Sequence, residues 1–296
     1  MGNIPFDLER LVIQTLRKKR SWLGDDVAIE KGQLLTTDSI IEGVHFTPSF
    51  FSYEEIGYKA LASALSDIAA CGGKPLWYLL NLGLRSDDSL GDVKLLIHGM
   101  EELEDKYSLK LIGGDTFHSP VLFLSITVGG ESDNPVSRSG AKSSDLIYIT
   151  GNIGGSKMGL YALENKIDSP IKKYHLRPGI RCEEGLYLNS NYNITSMIDI
   201  SDGFLIDSNH LADESKKGLN IESAKIPICP ECMDFAKQNS LDLMETVLTS
   251  GEEFELLFTS PDDIQEDFVS LIGSVSEGEG VYIDGKITPP RGYRHF

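Results

Sequence analysis

The stretch Asp25-Asp-Val-Ala-Ile-Glu-Lys-Gly-Gln-Leu-Leu-Thr-Thr-Asp38 decides the fold class, because it reads as a hairpin that opens and closes on aspartate. Two short apolar runs, residues 27–29 and 34–37, flank the turn pair Lys31-Gly32, the pattern of two strands joined by a tight turn. With the turn there, Asp25 falls opposite Asp38 and Asp26 opposite Thr37. Like charges facing each other across paired strands are destabilising, and a cation between them would reverse the sign. The hairpin alone leaves that reading level with a second one, in which these are solvated strand ends.

Outward from the hairpin, strands and helices mix. Leu8, Leu11, Val12, Thr15 and Leu16 follow a helical period, and the basic cluster Arg17-Lys18-Lys19-Arg20 reads as the solvated end of that helix. Residues 57–71 read as a helix stopped by Gly72-Gly73 and Pro75, 77–84 as a strand and 88–107 as a helix. A strand over 109–112 ends at Gly113-Gly114-Asp115, and another over 121–128 ends at Gly129-Gly130. The strands over 77–84 and 121–128 have edges that need covering.

A polar stretch, 131–135, breaks the pattern, and the domain boundary is placed there, giving domains 1–135 and 136–296. The second begins with a strand over 146–150, a turn rich in glycine and a helix over 157–164. A strand over 196–200 leads through Ser201-Asp202-Gly203 into a helix reaching about Ser215, and residues 254–259 form a last strand. The expected fold class is therefore two α/β domains. A length of 296 residues agrees, since single cores stop growing near ~250–300 residues.

Composition narrows the function. Apolar residues are 41% and charged residues 24% of the chain, values of a folded globular protein. Mean hydropathy is −0.13, and no run approaches the ~18 apolar residues of a membrane span. Residues 1–20 lack the apolar segment of a secretory signal. A net charge of −18 opposes nucleic acid and anionic membranes as partners. It also means that a phosphate substrate would need something cationic in between. Four cysteines are too few for a disulfide scaffold and suit a reducing cytoplasm. Cys229 and Cys232 form one CxxC beside Pro227 and Pro230. No second ligand pair follows at zinc spacing, so the expectation is a proline-rich loop with two incidental thiols.

The chemistry rests on carboxylates. Asp67 lies on a helix face with Ala60, Ala64 and Cys71, beside the apolar stripe Leu61, Leu65 and Ile68. A carboxylate among such residues is paired or binds a metal, because an unpaired buried charge is very costly. Asp115, Asp199 and Asp202 sit at strand or helix ends next to glycine or serine. Each alone reads as a turn residue. Together with the hairpin aspartates they suggest Mg²⁺, an oxygen-ligand ion that bridges carboxylates to phosphates. Walker A, GxSxG, HExxH and kinase-type HRD and DFG motifs are absent from the sequence.

In this order the residues resemble the thiamine-monophosphate kinase family of the aminoimidazole-ribonucleotide-synthetase-like superfamily. The resembling segments begin with Gly24-Asp-Asp-Val-Ala, Thr37-Asp-Ser-Ile-Ile-Glu-Gly-Val-His-Phe46, Gly57-Tyr-Lys-Ala-Leu-Ala and Leu65-Ser-Asp-Ile-Ala-Ala70. They continue with Ile112-Gly-Gly-Asp-Thr116, Ser137-Arg-Ser-Gly-Ala-Lys142, His175-Leu-Arg-Pro178 and Ile198-Asp-Ile-Ser-Asp-Gly203. Gly251-Glu-Glu-Phe-Glu-Leu-Leu-Phe258 and the terminal Gly292-Tyr-Arg-His-Phe296 complete the set.

The resemblance implies two α/β domains of that superfamily's type, with the N-terminal domain forming the sheet or barrel of a homodimer and holding metal and ATP. It implies transfer of the γ-phosphate of ATP onto thiamine monophosphate, giving thiamine diphosphate and ADP, in the cytoplasm. By motif position Asp26, Thr36, Thr37, Asp38, Asp67, Asp115, Asp199 and Asp202 match ligands of several Mg²⁺ ions. Tyr107, Gly114, Asp115, Arg138 and Ser201 match ATP contacts, and His45, Glu252 and Tyr293 contacts to thiamine monophosphate. No general base or covalent nucleophile is expected, since a phosphate monoester arrives ionised.

Ser250-Gly-Glu-Glu-Phe-Glu255 departs from the family's Gly-Gly-Glu-Asp-Tyr-Glu, and Gly155 stands where many members carry Asp. Two rival readings are another superfamily synthetase (of aminoimidazole ribonucleotide or selenophosphate) and a nucleotide-binding regulator without turnover. The first cysteine being Cys71 opposes selenophosphate synthesis, and the full set of aspartates opposes the regulator.

Overall fold

A computed structural model describes residues 8–18 and 23–294. Residues 1–7 of the stretch that bears on a signal, Lys19 and Arg20 of the basic cluster, and His295 and Phe296 of the terminal motif lie outside the described residues. The first half runs α1 (Leu8–Arg17), β1 (Ala28–Glu30), β2 (Gln33–Ile41), α2 (Tyr53–Ala70), β3 (Lys74–Leu84), α3 (Leu90–Tyr107), β4 (Lys110–His118) and β5 (Phe123–Glu131). The second half runs β6 (Leu146–Thr150), α4 (Gly155–Glu164), α5 (Lys173–Leu176), α6 (Cys182–Asn191), β7 (Ser196–Asp199), α7 (Phe204–Ser215) and β8 (Gly218–Ile221). It closes with α8 (Pro230–Gln238), α9 (Leu243–Leu248), β9 (Leu256–Ser260), β10 (Val269–Ser276), β11 (Gly280–Ile283) and β12 (Lys286–Thr288).

The first half forms a five-stranded sheet in the order β1-β2-β5-β3-β4, and the second a seven-stranded sheet in the order β12-β11-β8-β10-β6-β9-β7. The hairpin has the register read from sequence, with Ala28 opposite Leu35 and Glu30 opposite Gln33. Its ladder starts only at Ala28, however, so Asp25 and Asp26 sit in the bend before the strand rather than facing Asp38 and Thr37 across it. The strands over 77–84 and 121–128 are β3 and β5, both internal, and the edges of that sheet are β1 and β4.

Helix α2 is the hub. Ser52 caps it, accepting from the Glu55 N–H while the Glu55 side chain accepts from the Ser52 N–H, a reciprocal pair that satisfies two otherwise orphaned donors. The helix starts four residues before Gly57 because of that cap. Its apolar residues are buried on nearly every side. One core cluster runs from Leu34, Leu124 and Val128 of the first sheet, through Leu61, Leu65 and Ile68 of α2, to Tyr148, Met197 and Phe258 of the second. Each buried aliphatic contributes about 1.5–3 kcal/mol, so the core that joins the sheets also fixes whatever α2 presents between them.

Strand β4 runs on to His118 through Gly113 and Gly114, where the sequence suggested a stop. Gly114 is left-handed (φ 153°), and a Cβ there would lie 1.8 Å from the Leu80 carbonyl oxygen of β3. The glycine continues the strand by letting two backbones approach closely. At the other edge, Arg17 is not a solvated helix end: its guanidinium donates to Glu214 of α7 at 2.7 Å and to the carbonyls of Leu23 and Gly24.

Candidate active site

A cavity of about 820 Å³ opens between the sheets, lined by residues of both halves. Its floor is acidic. Along β2, Leu34, Thr36, Asp38 and Ile40 alternate towards α2, so Thr36 and Asp38 enter a layer that is otherwise apolar. Asp67 of α2 meets them there and accepts a short hydrogen bond from the Thr36 hydroxyl. Asp199, at the end of β7, accepts from Ser66 of α2 at 2.5 Å. Asp26 is held by the Arg138 guanidinium through Oδ1, with Nε at 3.0 Å.

Carboxylate oxygens of Asp26, Asp67 and Asp199 all lie within 4.8 Å of one another. Asp26 Oδ2 is buried with no hydrogen-bond partner. Burial pushes the Asp67 carboxyl well above its ordinary value, and the charges of Asp199 and Asp26 add to the push. Asp199 is raised to about 7 by burial and by the charge of Asp26. Asp26 itself is raised by burial in spite of Arg138. Three carboxylates at this spacing, two buried and Asp67 half-buried, are costly unless a cation joins them. The orphaned oxygen on Asp26, in a donor set of carboxylates and hydroxyls, suits a hard divalent ion such as Mg²⁺.

A second group of lining residues gathers around Glu252. Glu252 stands in a turn where it and Phe254 both adopt left-handed backbone, φ 54° and 53°, a conformation that non-glycine residues pay for and that clusters at functional sites. The Lys59 ammonium, 1% exposed on α2, grips Glu252 Oε2 at 2.8 Å. His175 Nδ1 lies 3.4 Å from the same oxygen and 3.1 Å from the Ser156 hydroxyl. Burial and then Lys59 hold the His175 imidazole down at about 4, so it is neutral at pH 7. Burial alone would raise Glu252, but Lys59 and His175 outweigh it and keep the carboxyl below its ordinary value. His45 is oriented by the Ile41 N–H, which donates to its Nδ1 at 3.1 Å.

Of the residues singled out in the sequence, Asp26, Thr36, Thr37, Asp38, His45, Asp67, Arg138, Asp199, Ser201, Asp202, Glu252 and Tyr293 all line this cavity. The Thr37 hydroxyl is turned to the other face of the sheet, accepting from Thr127 at 3.1 Å. Tyr107, Gly114 and Asp115 do not line the cavity. The Tyr107 hydroxyl donates to the Ile180 carbonyl at 3.3 Å. Strands β5 and β3 separate β2 from β4, about 14 Å at ordinary strand spacing, so Asp115 and Asp38 of one chain do not share an ion.

Several contributors escaped the sequence reading. Lys59 is a lone cation in an apolar helix, a signal of its own. Asp207 accepts from the N–H groups of Ser201, Asp202 and Gly203 at 3.0–3.1 Å and so shapes the turn that carries Asp202. Lys157 reaches into the cavity and donates to Thr249 Oγ1 at 2.6 Å.

Two of the departures from the family pattern, Glu253 and Gly155, also resolve. Glu253 points away from the cavity and caps the start of α4, accepting from Gly154 N at 2.8 Å and Ser156 N at 3.1 Å. A Cβ at Gly155 would lie 2.7 Å from the Tyr174 ring, which leaves no room for an Asp.

Residues 24–132 match the family described as AIR synthase related protein, N-terminal domain. The chain is 35% identical to a thiamine-monophosphate kinase of Aquifex aeolicus over 98% of its own length and 97% of the relative's. It is 36% identical to one of Leptospira interrogans over 90% of each. A solved structure described as AaThiL complexed with AMPPCP and TMP superposes with a TM-score of 0.93 at 33% identity, covering 100% of this chain and 99% of that one. The hydrogenase maturation protein HypE shares the fold, with a TM-score of 0.75 at 16% identity over 91% of each chain. This chain belongs to the thiamine-monophosphate kinase family.

Proposed function

We propose that this protein transfers the γ-phosphoryl group of ATP onto thiamine monophosphate, releasing thiamine diphosphate and ADP. The observation that carries the reading is the Asp26–Asp67–Asp199 cluster, with its orphaned oxygen, on the floor of a cavity whose far end is lined by Glu252, His45 and Tyr293. The relative bound to AMPPCP and TMP supports both substrates.

Together the two substrates carry about five to six negative charges at neutral pH, given a monoester pKa₂ near ~6. Arg138 is tied to Asp26 and Lys59 to Glu252, and Lys157, which donates to Thr249, brings a single charge, so the cavity's own cations fall well short of that charge. Several Mg²⁺ ions, held by Asp26, Asp67 and Asp199 with Asp38, Asp202 and Thr36 around them, would supply the positive charge that the phosphate oxygens need. Arg138 and Ser201 would steady the ATP phosphates. Glu252, fixed by Lys59, would present Oε1 to the aminopyrimidine and the cationic ring of the acceptor, with His45 and Tyr293 flanking. The acceptor oxygen is already ionised at pH 7, so transfer needs positioning and charge neutralisation rather than a base.

The same reading includes a homodimer built on the N-terminal half, with the division between halves at residues 135 and 136. Edge strand β4 supports it: Leu111, Ile112 and Phe117 are exposed there, Ile112 by 57%, and a bare apolar edge invites pairing. A second copy against β4 would also give Gly114 and Asp115 a route to a cavity that they do not reach in their own chain. All four cysteines are free thiols, which suits a cytoplasmic enzyme, and no helix among the described residues is long and apolar enough to cross a membrane. The test is to incubate the protein with ATP, Mg²⁺ and thiamine monophosphate and identify products by mass spectrometry. One thiamine diphosphate per ADP supports the reading, and ADP release without thiamine diphosphate defeats it.

A further inference from the structure

The Cys229-Pro-Glu-Cys232 segment is not a loop. Cys229 is the N-cap of α8, Pro230 takes the first helical position, and Cys232 falls in the first turn, its N–H donating to the Cys229 carbonyl at 2.9 Å. Both sulfurs belong to a small core between α4 and α8 with Met158, Ala162 and Phe235, away from the residues that line the large cavity.

Four features set this pair apart from Cys71 and Cys182. The two cysteines share one helix start and one small core, where the Cys229 thiol donates to Glu231 Oε2 at 3.2 Å. Cys229 faces a separate cavity of about 170 Å³, shared with Tyr174, Arg181 and Asn152. The start of a helix favours a thiolate. The Cys232 side chain, helped by Tyr174, draws the Cys229 thiol below its ordinary value against burial and the nearby Glu231. By contrast, burial pushes Cys71 and Cys182 up. Cys229 is only 2% exposed, so the reagent that reaches it through such a cavity must be close to water in size.

We propose that Cys229 and Cys232 form a dithiol that reduces small hydroperoxides, with Cys229 as the attacking sulfur and Cys232 as the resolving one. The Cys229 thiolate attacks one peroxide oxygen. An S–O bond forms, the O–O bond breaks, and the departing hydroxide takes a proton and leaves as water. Cys232 then displaces the hydroxyl from the sulfenic acid. The S–S bond forms, the S–O bond breaks, and the Cys232 proton leaves with the hydroxide as a second water. Two thiols are oxidised by two electrons and one hydrogen peroxide is reduced to two waters.

The test treats the reduced, native full-length protein with hydrogen peroxide, alkylates what remains, and reads the tryptic peptide of residues 226–237 by mass spectrometry. The expected result is a peptide short of two hydrogens and closed to alkylation, reopened by dithiothreitol and formed at least about tenfold faster than any modification of Cys71 or Cys182. Met233 in the same peptide reports its own oxidation by gaining an oxygen, so the two events separate by mass. Cys232→Ser should accumulate a sulfenic acid at Cys229 that dimedone traps, and Cys229→Ser should leave Cys232 unreacted. Phosphoryl transfer by both reduced variants should match wild type, since neither thiol lines the large cavity. Equal reactivity of all four thiols, an alkylatable pair after peroxide, or no dimedone adduct in Cys232→Ser would overturn the proposal.

Discussion

Replacing Asp67 by Asn separates a metal-binding carboxylate from a structural one by the sign of the stability change. In the metal-free protein, Asp67 shares a space no wider than 4.8 Å with oxygens of Asp26 and Asp199. At an effective dielectric constant near 20, two unit charges at that distance repel by about 3 kcal/mol. Proton sharing within the cluster relieves part of this, so the amide should stabilise the metal-free fold by about 1–3 kcal/mol. Asn can still accept the Thr36 hydrogen bond, so little is lost in return. Mg²⁺ at a hundredfold excess over its Kd adds about 3 kcal/mol to a protein that binds it only when folded. That gain should shrink sharply in the variant, and kcat should fall by about a thousandfold or more, since a lost ligand charge costs several kcal/mol at the transition state. The assay is chemical denaturation with EDTA and with Mg²⁺, followed by turnover on the folded protein. A variant that is less stable without metal, keeps the Mg²⁺ increment and turns over like wild type would refute the reasoning.

Glu252→Gln should raise the acceptor KM at least about tenfold and leave the ATP KM within about twofold. It should also cost about 2–3 kcal/mol, less than a fully buried pair because the Glu252 side chain is 32% exposed, since the buried Lys59 ammonium loses its carboxylate; an unchanged acceptor KM counts against the recognition role. His175 contacts Ser156 from α4, Glu252 and the Phe51 ring, and feels the charge of Lys59 from α2. Its folded value near 4 lies below the ordinary 6.5, so between those pH values the unfolded chain binds more protons. Stability from neutral His175 is therefore complete above pH 6.5 and lost as pH falls towards 4, by about 3 kcal/mol in all. Denaturant titrations at pH 7.5 and 4.5 should show that extra loss in wild type relative to His175→Gln, and parallel losses would contradict it. Light scattering should give twice the chain mass of 32.6 kDa, and a value of one chain mass across micromolar concentrations would reject the dimer.

What could be read in advance followed from local rules. Aspartates betray themselves as charges in apolar patterns, which is how Asp67 stood out on α2 and how the hairpin register came out right without the structure. Pairings between distant residues leave no local trace. Lys59 and Glu252 are 193 positions apart, and Arg138 and Asp26 are 112 apart. The Ser201–Gly203 turn looked self-sufficient, yet Asp207 on the following helix holds its N–H groups. Gly113-Gly114 read as a stop because glycine ends strands more often than it lets two strands close up, the role it plays against Leu80. Pro230 read as a loop breaker although it opens a helix, where its missing N–H costs nothing.

On the proposed function, the site is built around an acceptor that brings its own ionised phosphate. Steady-state kinetics with thiamine and thiamine monophosphate side by side, at saturating ATP and Mg²⁺, tests it most directly. A free hydroxyl has a pKa far above 7 and needs a base. Near the recognition end of the cavity, His175 is neutral but bound into the Ser156 and Glu252 contacts, and His45 Nδ1 is taken by the Ile41 N–H. Thiamine monophosphate should turn over, and kcat/KM for thiamine should be lower by about a thousandfold or more, of the order that losing a matched general base costs. Comparable kcat/KM for the two acceptors would contradict it.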